Sequence, residues 1–498
     1  MAFPCWQKIN LFQFIKKDKI EALKYENQLK QWDELIRTGY ALKVRALCRQ
    51  LNHKKIPRAL LVEYAQIARR VGAPDLIILW LRPIVRSDKT LQKAATAEEK
   101  AIYGLGLLRL GAFHEAQSIL SEIDPEKDPQ VYFYQASLFM NQWNYQKAIP
   151  KLRKYVHHPA VNDYSKLVGR LNLCAALLGS AKTDVIANEI SSLMKILERK
   201  NIVLLKGNLL EIRSQWLIEQ GQYKQALEDL EQAAQILNKA DERSLIYVNK
   251  WRLIVKLKSS PHPKELLSEI VALKKQAVAA KDWETVRDCD LHLALTLKDK
   301  DLILKVFWGS KFLAYKQRVK KNYGDFDSGE NYVWSEGQTT KNNPPIDLVN
   351  EAPTPILRRL FYVLTQELYQ PIRLTELIDS LYPNEYYHPI SSPARLHRLI
   401  ARARIWLKEK NYPIELQAYR NAYKLHLIDH AQILLTQKAV FKKSPTPPEH
   451  LAEFFTTKEW AFQKNVSERT ARREILKLIR AKRIESFIRG PHTKYRLI

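Results

Sequence analysis

The sequence has few of the residues that build turns, disulfides and metal sites. Its 498 residues include only 14 glycines, which disfavours a sheet-rich architecture with many tight turns and favours helices. The four cysteines lie far apart and form no CxxC pair, so neither a zinc site nor a disulfide framework is indicated. We therefore predict a mainly α-helical protein that folds in a reducing cytoplasm.

Long apolar runs and catalytic motifs are missing as well. No stretch of 18 apolar residues appears, so we expect no membrane span, and the N-terminus lacks the uninterrupted apolar segment of a signal peptide. The chain has no GxxxxGK[ST] phosphate loop, no HExxH zinc motif and no GxSxG nucleophile turn. We expect neither enzymatic activity nor a cofactor nor a bound metal.

Positive charge is abundant and unevenly distributed. The formal net charge is +28, which predicts a polyanionic partner, with nucleic acid ahead of an anionic membrane. Residues 354–498 hold 26 Lys and Arg against 13 Asp and Glu, so net charge is about twice as dense there as in the rest. The alternative is a solvated basic surface. The C-terminal third is therefore the candidate nucleic-acid-binding part.

Three segments of the N-terminal part align with one another: Gly111–Ala116, Trp143–Ala148 and Gly221–Ala226. In each, an aromatic residue precedes an alanine by three positions, and apolar residues follow that alanine by four and seven. Helical spacing puts the alanine and both apolar residues on one face, where the small alanine lets a neighbouring helix approach. The alanines are 32 and 78 positions apart, which indicates one irregular repeat in the larger gap, around residues 171–197.

These segments resemble the tetratricopeptide repeat, whose period is about 34 residues. The resemblance implies an α-solenoid in which each helix pair is buried only against the next, leaving a concave surface for a peptide, a protein or a small signal. The alternative is a generic helical solenoid without true repeats. Composition breaks then divide the chain as follows: residues 1–323 helical repeats, 324–354 linker, 355–430 first C-terminal module, 431–448 linker, 449–498 second module.

The first C-terminal module is predicted to contain three helices and a hairpin. The helices are Pro355–Tyr369, Leu374–Leu381 and Pro393–Lys410, and short strands follow at Ile414–Leu416 and Tyr423–Leu425. The segments LTELIDSLYP, RLHRLIARAR and AYKL resemble the output domain of OmpR-type response regulators. That resemblance implies a winged helix-turn-helix whose third helix enters the DNA major groove. Its candidate DNA-binding residues are Arg395, Arg398 and Arg402, which alternatively form a solvated helix face.

The second module repeats the plan in fewer residues. We predict short helices at Leu451–Phe455 and Glu459–Gln463, a longer one from Glu468 to Arg480, and strands at Ile484–Ile488 and Lys494–Leu497. VSERTARREI, a basic turn and KYRL resemble the DeoR-like class of winged helices, which implies double-stranded DNA as partner; the alternative is a winged fold used for protein contacts. Its candidate DNA-binding residues are Ser467, Arg469, Arg472, Arg473, Lys477, Arg489, His492 and Lys494.

Together these features predict a cytoplasmic transcriptional regulator. Two small winged-helix (α+β) domains would bind double-stranded DNA, and the helical repeats would act as a protein- or ligand-binding sensor. Arg469, Arg472 and Arg473 lie in the first turns of their helix, where base contacts are made, and Lys477, Arg489, His492 and Lys494 suit phosphates. The alternative is a non-enzymatic interaction scaffold whose winged helices make protein or RNA contacts.

Overall fold

The computed structural model describes most of the chain as helix. The described residues are 23–86, 94–180, 183–237, 242–324, 326–336, 344–383, 385–436, 454–464, 466–481, 483–487 and 493–497. They form two compact units, Met1–Gln437 and Lys438–Ile498. The mainly α-helical class expected from the scarcity of glycine is thus observed, with small sheets confined to the C-terminal third.

The first unit opens with a series of helices that pack against their neighbours along the chain. Helix α1 spans 23–37. The others are α2 Ala41–Gln50, α3 Leu61–Arg70, α4 Pro74–Val85, α5 Ala97–Leu110, α6 Phe113–Ser121, α7 Gln130–Asn141, α8 Tyr145–His157, α9 Asp163–Gly179, α10 Thr183–Arg199, α11 Val203–Glu219, α12 Tyr223–Leu237, α13 Glu242–Ser259, α14 Leu267–Ala280, α15 Trp283–Leu297, α16 Lys300–Trp308 and α17 Leu313–Tyr323. Helices α9, α11, α13 and α15 also contact one another in that order, which is the arrangement of a helical-repeat solenoid.

The three aligned segments occupy equivalent places in this series. Each begins where one helix of a pair ends, and Gly111, Trp143 and Gly221 have φ of 96°, 56° and 74°. Such positive φ reverses the chain into the next helix, and glycine is the residue that adopts it without strain. Ala116 and Ala148 are fully buried, as the repeat pattern predicts.

The first unit ends in a smaller arrangement of helices and strands. Its elements are β1 Asn331–Ser335, α18 Leu348–Glu351, α19 Pro355–Thr365, β2 Ile372–Arg373, α20 Leu374–Leu381, α21 Ser391–Glu409, β3 Ile414–Tyr419, β4 Ala422–Leu427 and β5 Gln432–Thr436. A three-stranded sheet has the order β2-β4-β3, and β1 pairs with β5 antiparallel. Residues 324–354, interpreted from their composition as a linker, thus contribute a strand because β5 supplies a pairing edge far along the chain.

The second unit contains β6 Phe454–Phe455, α22 Thr457–Lys464, α23 Glu468–Arg480, β7 Ile484–Phe487 and β8 Lys494–Leu497. Its sheet order is β6-β8-β7, the same relative order as in the first unit. The helix predicted over Leu451–Phe455 is wrong at Phe454 and Phe455, which pair with Arg496 and Tyr495 of β8 instead. Residues 451–453 lie outside the described residues.

Candidate functional site

A large cavity lies on the inner side of the helical repeats. Its volume is about 1710 Å³. Most of its lining comes from the odd-numbered helices α7 to α17, and the rest comes from turns beside them, from the first turns of α8 and α12, and from the segment that runs from α19 into β2. The volume exceeds the roughly 300–1,000 Å³ typical of small-molecule pockets. The cavity therefore has room for an occupant larger than a metabolite.

Asparagines on successive inner helices present the same geometry to this cavity. Asn141 of α7, Asn172 of α9 and Asn208 of α11 all line it. Each side-chain Nδ2 donates to the carbonyl four residues earlier in its own helix, at 2.8, 2.8 and 3.2 Å. Each amide nitrogen uses one of its two N–H groups within its helix, and each Oδ1 atom is a hydrogen-bond acceptor that a bound molecule can use. The result is a row of acceptors along the inner surface.

A buried ionic cluster lies next to the cavity, beside the lining residue Glu284. Lys250 Nζ lies 2.9 Å from Asp288 Oδ2 and 3.3 Å from Glu284 Oε1, and the Tyr315 hydroxyl donates to Asp288 Oδ1 at 3.0 Å. Burial alone would raise the pKa of Asp288, but Lys250, Arg318 and Arg287 lower it below its ordinary value. Burial alone would lower the pKa of Lys250, but Asp288 and Glu284 raise it. The cluster is thus held in its charged form.

Two lining residues combine charge with burial. The guanidinium of Arg287 lies 3.7 Å from the centre of the Tyr315 ring, and its Nη1 donates to Ser310 Oγ at 3.1 Å. Glu211 accepts a hydrogen bond from Gln215 Nε2 at 2.5 Å, and burial raises the pKa of its carboxyl to about 7. The cavity therefore offers a fixed positive charge at Arg287 and a carboxyl at Glu211 whose pKa is about 7.

Helix α23 of the second unit carries four of the eleven predicted DNA-binding residues, and Ser467 immediately precedes it. The helix begins at the predicted position, where the Ser467 hydroxyl accepts from the Thr470 backbone N–H at 3.2 Å. Ala471, Ile475 and Leu478 are buried in a small core with Trp460 and Phe455. Within the second unit's described residues, five cations of this helix are exposed and form no ion pair: Arg469, Arg472, Arg473, Lys477 and Arg480.

The remaining predicted residues of the second unit separate into two groups. Lys494 begins strand β8 and is exposed. Arg489 and His492 lie outside the described residues, so their placement stays a prediction.

The arginines predicted on α21 are not equivalent. Arg398 and Arg402 are exposed, one helical turn apart. Arg395 is engaged within the protein, since its Nη1 lies 2.6 Å from Glu385 Oε2 and its guanidinium 3.6 Å from the Tyr382 ring centre. Arg395 would have to leave these partners to bind a ligand.

Sequence reasoning missed the cavity residues. A signal for them exists, because Asn141, Asn172 and Asn208 recur at intervals close to the repeat period. Asparagine at such a spacing is easily overlooked because the repeat pattern depends on alanine and aromatic positions. The charged residues around Lys250 carry no comparable local pattern.

The described part of the chain contains neither a membrane-spanning helix nor a cluster of metal-binding side chains. Among its helices, none has the length and apolar character needed to cross a bilayer. Within the same residues, no group of three or more His, Cys, Asp or Glu side chains is arranged to hold a metal ion.

Comparisons with known proteins return only distant structural likeness. No protein family matches the chain, and no curated protein does. The crystal structure of the apo form of RapI is 14% identical, with a TM-score of 0.39, covering 57% of this chain and 85% of RapI. The crystal structure of a Rap protein complexed with Competence and Sporulation Factor is 12% identical, with a TM-score of 0.42, covering 78% and 100%.

Proposed function

We propose that this protein is a non-enzymatic binding protein whose helical repeats hold an extended peptide segment in the cavity. The row formed by Asn141, Asn172 and Asn208 carries the proposal. Adjacent packed helices are about 8–10 Å apart, and an extended chain rises about 3.3 Å per residue. Asparagines on neighbouring inner helices therefore match backbone N–H groups spaced about three residues along a peptide.

The size and chemistry of the cavity support the same occupant. A volume of about 1710 Å³ suits a peptide better than a small signal. Trp143, Tyr223 and Trp283 line the cavity and offer rigid surfaces to peptide side chains. Recognition through the backbone would make binding tolerant of peptide sequence, with the aromatic and charged residues selecting among sequences.

The test is to pass the full chain over an immobilised library of random linear peptides. We expect a subset to be retained, and we expect simultaneous Asn141→Ala, Asn172→Ala and Asn208→Ala substitutions to weaken that binding at least about tenfold, roughly 1.4 kcal/mol. Alanine is a strong helix former, so the variant should fold. Asn249→Ala is the matched control, because Asn249 is exposed on α13 away from the cavity. Failure to retain any peptide would refute the proposal.

A second candidate function is binding of double-stranded DNA by α23. The observation favouring it is the set of exposed cations Arg469, Arg472, Arg473 and Lys477 on a helix that is followed by a hairpin. Arginines near the start of such a helix suit base edges in a major groove. Under this proposal the protein is a cytoplasmic regulator that carries both activities, as the sequence predicts.

Selection of bound sequences from a random duplex pool with the full chain tests this candidate. We expect a preferred site, and we expect Arg473→Ala to weaken binding to it by about 1–3 kcal/mol and to relax the sequence preference. Lys458→Ala is the control, since Lys458 is exposed on the neighbouring helix α22. Equal affinity for selected and random duplexes would contradict sequence-specific DNA binding and would favour the interaction-scaffold interpretation.

A further inference from the structure

One wall of the cavity does not belong to the repeats. Glu367, Tyr369, Gln370 and Arg373 line it, and they lie in the segment that joins α19 to β2 and in β2 itself. We call residues 366–373 the wall segment. An occupant that fills the cavity would contact the repeats and the wall segment at the same time.

The wall segment is bonded to the repeats. The Tyr369 hydroxyl donates to Asp290 Oδ2 at 3.0 Å, and the Leu368 N–H donates to the Gly309 carbonyl at 2.9 Å. Both Tyr369 and Asp290 are buried. Because buried hydrogen bonds are costly to leave unmade, the segment cannot shift without moving its partners.

The same segment is bonded to the helices and strands that follow it. Lys424 Nζ of β4 donates to the Tyr369 carbonyl at 3.4 Å, and Ile372 of β2 pairs with Tyr423 of β4. Helix α20 begins immediately after β2. At its far end, Asp379 accepts a hydrogen bond from the His114 backbone N–H of α6 at 3.0 Å. These bonds form a continuous connection from the wall segment to the contact between α20 and α6.

We infer that occupancy of the cavity is transmitted through the wall segment and changes how firmly α20 is docked on α6. This inference rests on the proposed function, since it assumes that the cavity receives a ligand. It goes further in assigning the ligand a regulatory effect on α20, which packs against α21, the helix that carries Arg398 and Arg402. Tyr369 is a positioning residue in this scheme, because it joins the cavity wall to Asp290.

A covalent occupant tests the transmission without knowledge of the natural ligand. Asn172→Cys, made in the full chain with Cys5→Ser, is labelled with a fluorescein maleimide that fills part of the cavity. Cys48, Cys174 and Cys289 are buried, and burial raises the pKa of each thiol to about 12, which slows their reaction with maleimide. Tyr164→Cys is the matched control, because Tyr164 is exposed on the same helix but lies outside the cavity.

The readout is amide hydrogen exchange of residues 374–381 and 113–121 by mass spectrometry. We expect the label at position 172 to change exchange there at least about fivefold, whereas the label at position 164 leaves it unchanged. Adding Tyr369→Phe should reduce the transmitted change, because that variant loses the hydroxyl bonded to Asp290. A change confined to α7, α9 and α11 would overturn the inference.

Failure of this inference is distinguishable from failure of the proposed function. If the label at position 172 alters exchange at residues 374–381 but no library peptide is retained, transmission stands and peptide binding is refuted. If peptides are retained but the label leaves residues 374–381 unchanged, peptide binding stands and transmission is refuted.

Discussion

Asp379 of α20 lies at the N-terminus of α6, where its Oδ2 accepts from the His114 backbone N–H at 3.0 Å and lies 2.7 Å from the His114 ring Nδ1. The residue that precedes α6, Ala112, has no side chain that caps the helix. Asp379, which is 265 positions from His114 in the sequence, thus supplies the carboxylate that the N-terminus of a helix favours.

Asp379→Ala should loosen the contact between α20 and α6. Loss of the capping carboxylate is expected to cost about 1 kcal/mol of stability, the usual magnitude for an N-cap. Chemical denaturation followed by circular dichroism measures it. Asp379→Asn keeps an acceptor oxygen and should lose less, so equal losses for both variants would argue against a capping role.

The contact between His114 and Asp379 predicts that the stability of the protein depends on pH. The hydrogen bond to Asp379 raises the pKa of His114 above its ordinary value of 6.5. The stabilisation is therefore fully present below about pH 6.5 and is lost as the pH rises through the higher folded-state pKa. We expect the Tm difference between the native protein and His114→Gln to be largest below pH 6 and to shrink toward pH 9. A constant difference would contradict this account.

Glu211 should give a second pH dependence at the cavity. Its pKa is about 7 in the folded protein and 4.5 ordinarily, so the folded protein binds that proton more tightly than the unfolded chain. Its contribution to the free energy of unfolding therefore falls as pH rises from about 4.5 to 7. Glu211→Gln should make the free energies of unfolding at pH 5 and pH 8, measured by urea titration, differ less than they do in the native protein. Glu228→Gln, at an exposed position on α12, serves as control.

The Lys250–Asp288 pair should be costly to break from one side. Lys250→Met leaves the carboxylate of Asp288 buried without its ammonium partner, which is expected to destabilise by about 3–5 kcal/mol. Lys256→Met, on the same helix but half-exposed, should change the free energy of unfolding little. If Lys250→Met and Lys256→Met lowered the free energy of unfolding by equally small amounts, the buried cluster would not have the stabilising role that its geometry indicates.

Binding of duplex DNA, if α23 performs it, should depend on salt in a manner specific to each cation. Because Lys477 suits a phosphate, Lys477→Ala should weaken binding to selected and random duplexes equally. It should also reduce the slope of log affinity against log salt concentration by about 1. Fluorescence anisotropy over a range of salt concentrations measures this. A loss confined to the selected site would instead assign Lys477 a base contact.

Local sequence patterns determined the bounds of several helices. Helix α20 spans Leu374–Leu381 and α23 spans Glu468–Arg480, both as the apolar periodicity and the Ser467 cap predict. The repeat alanines are buried because a small residue at helical spacing creates a site for the next helix. Such signals lie within one or two turns of the chain, so they are visible without any tertiary information.

Tertiary structure alone decided strands β1 and β6 and the shape of the cavity. Phe454 and Phe455 form a strand because β8 offers them hydrogen-bond partners, and β1 exists because it pairs with β5, about a hundred positions along the chain. Strand formation depends more on such pairing than on intrinsic preference. The cap that Asp379 gives to α6 and the cluster around Lys250 likewise join distant segments. No local pattern records these contacts, because only the folded chain brings their charges together.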